Sequence, residues 1–384
     1  MIIVLVLGLV GSAMAAPTIG RLTGDERRAR LAHMLGILGA LVAGFGVILF
    51  FAANWSDIPR PLRVLLLLTA VVALFGAGFV LREVRGTHPN IAHALIFLGT
   101  ILFGASVFLV GQMYHVQAHD PLGFLLWAAG ALAMAVIVRS GLIAALGILS
   151  FFAWLVHEAV DAFSYDSAAI IPAFLALYGI ALYGFGTGAV HLLEPLRFVR
   201  PMRMLGFAFL VAGLLVLTFR DAHQIADTER AVDVNRIAVM LAGLAAAAVI
   251  GSLALALLRR RDRVTAIGEA AVLLGSAVLV LVAALNPEVT QQAFAEGPVE
   301  QPTVYPILFN VALAVVAFGA IVVGILTDEV WLANGGAITV GIDVLARFFA
   351  PEWTMLERGI VMMLVGAAAL VLAAAFERRR LRPA

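Results

Sequence analysis

The sequence predicts an all-α fold, a polytopic transmembrane helix bundle of about twelve core helices. Three observations support this: an apolar composition, the recurrence of long apolar runs, and a one-sided distribution of arginine. Of the 384 residues, 63% are hydrophobic and 13% charged, and the mean hydropathy is +1.06. A soluble domain is about half apolar and about a quarter charged. Lipid must therefore act as solvent for much of this surface.

Crossing the hydrocarbon core of a bilayer takes roughly 20 apolar residues. Twelve runs approach this length, and breaks rich in Arg, Asp, Gly and Pro separate them. Two runs fit less well, because one is short and another contains two charged residues. In chain order the runs are Met34–Ala53, Leu62–Leu81, Ile91–Met113, Leu122–Val138, Leu142–Val160, Ile170–Val190, Met204–Phe219, Ile237–Leu258, Val264–Leu285, Tyr305–Leu326, Val330–Phe349 and Gly359–Phe376.

All 25 basic side chains are arginine, a pattern typical of codon usage in GC-rich bacteria. With the segment before Met34 in the cytoplasm and the runs alternating, 18 arginines fall on the cytoplasmic side and 7 on the outer side. Basic residues are enriched on the cytoplasmic side of membrane proteins. We therefore expect a bacterial inner-membrane protein with both ends of its twelve-helix core in the cytoplasm.

Residues 1–33 combine an apolar segment with an arginine-rich lead-in. Ile2–Val10 followed by Ala13-Met14-Ala15 is similar to a secretory signal, but the basic n-region is missing. Cleavage would also leave the cluster Arg21–Arg30 outside, against the charge rule. We favour an uncleaved extra segment or a misassigned start codon, with a cleaved signal as the alternative.

Short stretches of the first half recur in the second. Met34-Leu35-Gly36 recurs as Met204-Leu205-Gly206, and Ala94–Thr100 is similar to Ala270–Ser276. Such similarity arises easily among Leu/Ala/Gly-rich helices, but the shared order favours a six-plus-six repeat, with halves at 34–190 and 191–384. Because six is even, the two halves would be parallel, related by an axis along the membrane normal.

Interhelical contacts are expected at small-xxx-small spacings and at two asparagines. The spacings Gly36/Ala40/Gly44 and Ala271/Gly275 allow helix backbones to approach closely. Asn310 and Asn334 could form hydrogen bonds between helices.

Three charged residues fall within the apolar runs, where ionisable groups are costly. Asp343 and Arg347 lie four residues apart, a spacing that allows an intrahelical ion pair. Such a pair either neutralises itself near the interface or contacts an ion or substrate. Glu269 lies near the cytoplasmic face, close in sequence to Arg263, where charge balance or snorkelling competes with proton coupling.

Polar side chains with aromatic neighbours gather where the first, third and fifth runs reach the outer face. Trp and Tyr are ordinary interfacial anchors at this depth, and histidines in a polar loop are commonly just solvated. The residues of this candidate outer-face polar site are Asn54, Trp55, Gln112, Tyr114, His115, His119, Asp120, His157, Glu158 and Asp161.

A metal site is an alternative interpretation of this cluster, because His115/His119 and His157/Asp161 are i,i+4 pairs. No HExxH, GxSxG or Walker-type sequence is present, and the chain has no cysteine. We therefore predict no metal and no cofactor. The absence of a basic tract interleaved with aromatics also argues against nucleic acid as a partner.

The same stretches resemble a family of bacterial membrane proteins that carry the domain of unknown function 2157. The similar phrases are Phe50–Trp55, Leu109–His115 and Pro121-x-x-Phe124-x-x-Trp127, with a looser likeness at 334–359. The usual soluble N-terminal extension of that family is missing or replaced by residues 1–33. The resemblance implies a multi-pass membrane protein and no established activity.

Three functions remain open. The first is transport or flipping of a small molecule or lipid, with the outer-face site as the outward end of the path. The second is an enzyme, or an accessory to one, acting on envelope or lipid precursors, with His115 or His157 as general base and Asp120, Glu158 or Asp161 as its partner. The third is a non-catalytic envelope scaffold or sensor. The expected partners are membrane lipids and either an envelope protein or a second copy of the chain.

Overall fold

The structure, a computed structural model, describes residues 58–86, 89–114, 121–163, 170–219, 234–258, 263–284 and 304–349, with the single positions 38, 42 and 363. Within these ranges the fold is all-α, with ten long helices. They are α1 Arg60–Phe79, α2 Pro89–Met113, α3 Leu122–Val138, α4 Gly141–Phe163, α5 Ile170–Gly188, α6 Val199–Leu217, α7 Val234–Leu258, α8 Arg263–Ala284, α9 Val304–Leu326 and α10 Val330–Phe349.

Eight helices in the described ranges are long and apolar enough to cross a membrane: α1 with its extension to Val84, α2, and α4 to α9. Helix α3, with 17 residues, is apolar but shorter. Large apolar side chains such as Leu65, Val72 and Val311 are exposed on the outside of the bundle. This surface is stable only where lipid replaces water. Two of the twelve predicted spans, Met34–Ala53 and Gly359–Phe376, lie outside the described residues apart from the single positions 38, 42 and 363.

The predicted runs Leu122–Val138 and Val330–Phe349 coincide as helices with α3 and α10, but neither is among the eight helices long and apolar enough to cross a membrane. The short run Met204–Phe219 is wrong at its start, because α6 begins at Val199 and gains five residues. Hydropathy excluded residues 199–203 because they include two arginines and a proline. Proline is nevertheless compatible with the first turn of a helix. The predicted span Ile170–Val190 ends two residues early, at Gly188, and a four-residue helix, Val190–Leu193, follows it.

Helix α5 is the centre of the described bundle, with 17 of its 19 residues buried. It packs against α6, α7 and α8, so the last helix of the predicted first half contacts three helices of the second. The hydroxyl of Tyr178 donates to the carbonyl oxygen of Ile148 on α4 at 3.1 Å, so this buried polar group is satisfied. A helix that is apolar on all sides is expected to be buried in this way.

Glycines allow α5 to touch its neighbours backbone to backbone. A Cβ atom added to Gly179 would lie 2.3 Å from the amide nitrogen of Leu210 on α6. On the opposite side of the same contact, a Cβ at Gly206 would lie 2.5 Å from the amide nitrogen of Tyr183. Toward α7, a Cβ at Gly184 would lie 2.5 Å from the carbonyl carbon of Gly251. Membrane helices gain their association energy from such close packing.

Three expected interhelical contacts, at Ala271/Gly275, Asn310 and Asn334, are not found among the described residues. A Cβ at Gly275 would meet nothing within 4 Å, so the Ala271/Gly275 spacing does not mark a tight interface among the described residues. Asn310 donates from Nδ2 to the carbonyl oxygen of Pro306 on its own helix at 2.6 Å, and Asn334 is exposed. The spacing Gly36/Ala40/Gly44 lies outside the described residues.

We expect Gly179→Ala to lower the thermal stability of the purified protein in detergent by the equivalent of about 1–3 kcal/mol, because the new methyl group would overlap α6 backbone. The matched control is Gly243→Ala on α7, where a Cβ meets nothing within 4 Å. It should be neutral or slightly stabilising. Equal unfolding temperatures for the two variants would contradict the packing of α5 on α6.

Candidate functional site

The structure describes half of the predicted outer-face polar site. Gln112 and Tyr114 lie at the end of α2 and are exposed. His157 and Glu158 lie in the last turns of α4, as does the backbone of Asp161. Outside the described residues are Asn54, Trp55, His115, His119 and Asp120.

The aromatic ring of Phe124, at the start of α3, joins the ends of α2 and α4. Its centroid lies 4.7 Å from that of Phe108 on α2 and 4.7 Å from the imidazole of His157. One turn further along α3, the Nε1 atom of Trp127 donates to the carbonyl oxygen of Thr100 at 3.1 Å. The aromatic residues of the Pro121-x-x-Phe124-x-x-Trp127 phrase therefore hold α2, α3 and α4 together, and Gln112, Tyr114 and His157 share one end of this trio.

His157 and Glu158 each make a hydrogen bond within α4. Nδ1 of His157 lies 2.8 Å from the carbonyl oxygen of Ala153, so this nitrogen carries the proton. Glu158 accepts a hydrogen bond from Nε1 of Trp154 at 3.1 Å. Both hydrogen bonds join residues one turn apart on α4, so in this conformation they tie these polar groups to their own helix.

The predicted pair of Asp343 and Arg347 is present, with Nε of Arg347 3.3 Å from Oδ1 of Asp343. Arg347 is 1% exposed and also donates to the hydroxyl and the carbonyl oxygen of Thr218, at the C-terminal end of α6. Its guanidinium lies 4.5 Å from the ring centroid of Phe219. A cation at a helix C-terminus is favoured by the helix dipole. The spacing predicted the intrahelical pair, but nothing in it indicated α6 as a partner.

A second ion pair, whose arginine and glutamate side chains are 11% and 23% exposed, lies at the opposite end of α6. Nη1 of Arg203 donates to Oε1 of Glu329 at 2.8 Å, and Nη2 donates to Oε2, so the pair is bidentate. The guanidinium also lies 5.2 Å from the ring of Trp331 and 5.9 Å from that of Tyr183. Half-buried Glu269 on α8 interacts electrostatically with Tyr183, so it joins this cluster in addition to lying near Arg263 in sequence. Local sequence patterns do not indicate this pair, because Arg203 and Glu329 are 126 positions apart.

A cavity of about 1010 Å³ opens among the start of α2, the α3–α4 connection and the segment leading into α6. The ionisable side chains in its lining are Arg82, His93, Arg139, Glu194, Arg197 and Arg200. Four arginines and one glutamate give this lining a formal net charge of +3 with His93 neutral. Sequence reasoning treated these arginines only as orientation signals, although their charge was itself a signal for a site.

The backbone around the cavity is irregular at three arginines. Arg82 lies in a π-helical segment, Val80–Val84, and its Nη1 donates to the carbonyl oxygen of Val138 at 2.9 Å. Arg139 and Arg197 have positive φ values of 55° and 60°. Nε2 of His93 lies 2.8 Å from Oγ of Ser140. Single π turns and left-handed residues are found often at functional sites.

Among the described residues, no three His, Asp or Glu side chains are grouped as metal ligands. His115 and His119, half of the metal hypothesis, lie outside those residues.

The long apolar helices and the apolar outer surface of the bundle define a multi-pass helical membrane protein. Residues 8–144 match the model of a family described as predicted membrane protein (DUF2157), which confirms the resemblance over that stretch. No curated protein and no solved structure matches the chain.

We expect Glu329→Gln to destabilise the protein by about 3 kcal/mol, because it leaves the Arg203 guanidinium buried without its counter-charge. The matched control is Glu83→Gln, which breaks an ion pair with Arg82 whose side chains are 53% and 33% exposed. That loss should be below about 1 kcal/mol. Thermal unfolding in detergent measures both, and an equal loss in the two variants would show that the Arg203 pair is not desolvated.

Proposed function

We propose that this protein transports or flips a small molecule or lipid across the bacterial inner membrane, through a path along α2, α3 and α4. The supporting observation is that this helix trio has a polar cluster at one end and the arginine-lined cavity at the other. At about 1010 Å³, the cavity is at the upper end of the usual range for small-molecule sites, roughly 300–1,000 Å³. The cavity would receive the substrate, and Gln112 and Tyr114 would lie at the exit.

Between these two ends the trio is closed by Trp127. A Cβ at Gly104 of α2 would lie 2.1 Å from Cδ2 of this indole, so the ring covers the glycine directly. The hydroxyls of Thr100 and Ser106 donate to carbonyl oxygens of their own helix. Passage of a substrate between the two ends would therefore require α3 to move relative to α2. In this proposal the present conformation is the closed state.

The architecture we propose keeps twelve spans arranged as six plus six. Both ends of the core are cytoplasmic, the cavity faces the cell interior, and the outer-face site faces away from it. The two halves, 34–190 and 191–384, are joined through α5, which packs against helices of the second half. Membrane lipids are the expected partners, together with an envelope protein or a second copy of the chain.

The proposal predicts activity in vesicles of phosphatidylethanolamine and phosphatidylglycerol. If the substrate is a lipid, the reconstituted chain should move headgroup-labelled phosphatidylglycerol from the inner to the outer leaflet, where an external impermeant reductant destroys the label. If the substrate is a small molecule, the chain should release radioactive phosphate entrapped in the vesicles. Gln112→Ala should slow the process roughly fivefold, because it removes one polar contact worth about 1 kcal/mol.

Protein-free vesicles set the background rate, and Gly243→Ala controls for substitution within the bundle. If neither the lipid nor phosphate crosses faster than in protein-free vesicles, transport is excluded for both substrates. An unchanged rate in Gln112→Ala would remove the outer-face site from the path.

A further inference from the structure

We propose that the arginine-lined cavity is a binding site for a phosphate-bearing anion, either the headgroup of an anionic phospholipid or a water-soluble phosphate compound. The role of the cavity as an entry site rests on the proposed function, whereas the binding of a phosphate-bearing anion in the cavity does not. Five features of the cavity carry the inference: its charge, two guanidinium groups without a partner among the described residues, its strained backbone, its apolar wall, and its enclosure by three separate segments.

The charge of the lining selects for anions. Arg82 and Arg200 have partners of their own within the protein. Arg82 forms an ion pair with Glu83 and donates a hydrogen bond to the carbonyl oxygen of Val138 at the end of α3. The guanidinium groups of Arg139 and Arg197 are exposed and form no hydrogen bond or ion pair with any residue that the structure describes. Guanidinium groups match the geometry of phosphate oxygens and bind them in pairs.

These two arginines also occupy positions that disfavour any residue with a Cβ. Their φ values of 55° and 60° lie in the left-handed region, where glycine and asparagine are the usual residues. Arg139 follows the last residue of α3, a helix end that commonly takes glycine. Two strained arginines at one cavity indicate that their side chains are needed there.

The deep wall of the cavity is apolar. Leu142, Ala145, Met204 and Leu205 line it, and the last three are buried in the bundle. A ligand with a charged phosphate and an apolar remainder fits both surfaces. Basic pockets between membrane helices on the cytoplasmic side are a known way to recognise anionic headgroups.

The competing explanation is that these arginines only orient the chain in the membrane. That role requires the arginines to lie on the correct side of the membrane, but it does not require them to surround a cavity. Arg263, exposed at the start of α8 and outside the cavity lining, is on the same predicted side and provides the matched control.

The test uses the full chain in detergent. Native mass spectrometry compares retention of phosphatidylglycerol and phosphatidylcholine supplied in equal amounts, and calorimetry measures binding of inorganic pyrophosphate. The variant is Arg139→Gly with Arg197→Gly, which removes both charges and relieves both strained positions, so it should fold. We expect binding to fall about tenfold per arginine, with Arg263→Gln unchanged.

Selective retention of phosphatidylglycerol that the double variant loses supports a lipid headgroup as the ligand. Pyrophosphate binding with the same dependence, without lipid selectivity, supports a water-soluble phosphate compound. Absence of both, or an equal loss in Arg263→Gln, overturns the site. Binding that depends on these arginines, together with no transport in vesicles, would leave the site standing and remove the proposed function.

Discussion

The backbone contact of α5 with α6 and α7 is the constraint on which the rest of the described bundle depends. Lipid is as apolar as leucine, so the hydrophobic effect cannot drive these helices together once they are inserted. Close packing must do so, and it requires that no side chain separate Gly179 from α6 or Gly184 from α7. Burial of 17 of the 19 residues of α5 follows from this contact, because helices can then surround it closely.

Two arginines, the buried Arg347 and the 11% exposed Arg203, extend this packing by fixing α6 at both ends. Arg203 ties its start to Glu329, directly before α10, and Arg347, near the end of α10, ties the end of α6 to the same helix. Each charge is compensated by a partner and an aromatic ring, which offsets the cost of removing it from water. This explains why α10 can contain Asp343 and Arg347 and still belong to the bundle.

The sequence predicted what depends on composition and local spacing: the all-α fold, most helix bounds, and the pair of Asp343 and Arg347. It did not predict what depends on long-range contacts. The start of α6 was misplaced because hydropathy penalises Arg203, whose charge is compensated by a residue 126 positions away. Gly275 lies in a small-xxx-small spacing and touches no other described helix, whereas Gly179, with Leu175 and Tyr183 four residues away, lies in none and touches α6. The arginine cavity is formed by three segments that are distant in sequence. From the sequence alone, each of its arginines therefore indicated only the orientation of the chain in the membrane.

The proposed function requires that the two ends of the α2–α4 trio lie on opposite sides of a membrane, with the arginine cavity facing the cell interior. Because the chain has no cysteine, single substitutions give unambiguous labelling sites. Leu192→Cys lies beside the cavity and Tyr114→Cys at the other end, and both positions are exposed. In intact cells, an impermeant maleimide should label Tyr114→Cys at once and Leu192→Cys only after the membrane is opened. Labelling of Leu192→Cys in intact cells, with Tyr114→Cys protected, would contradict the account.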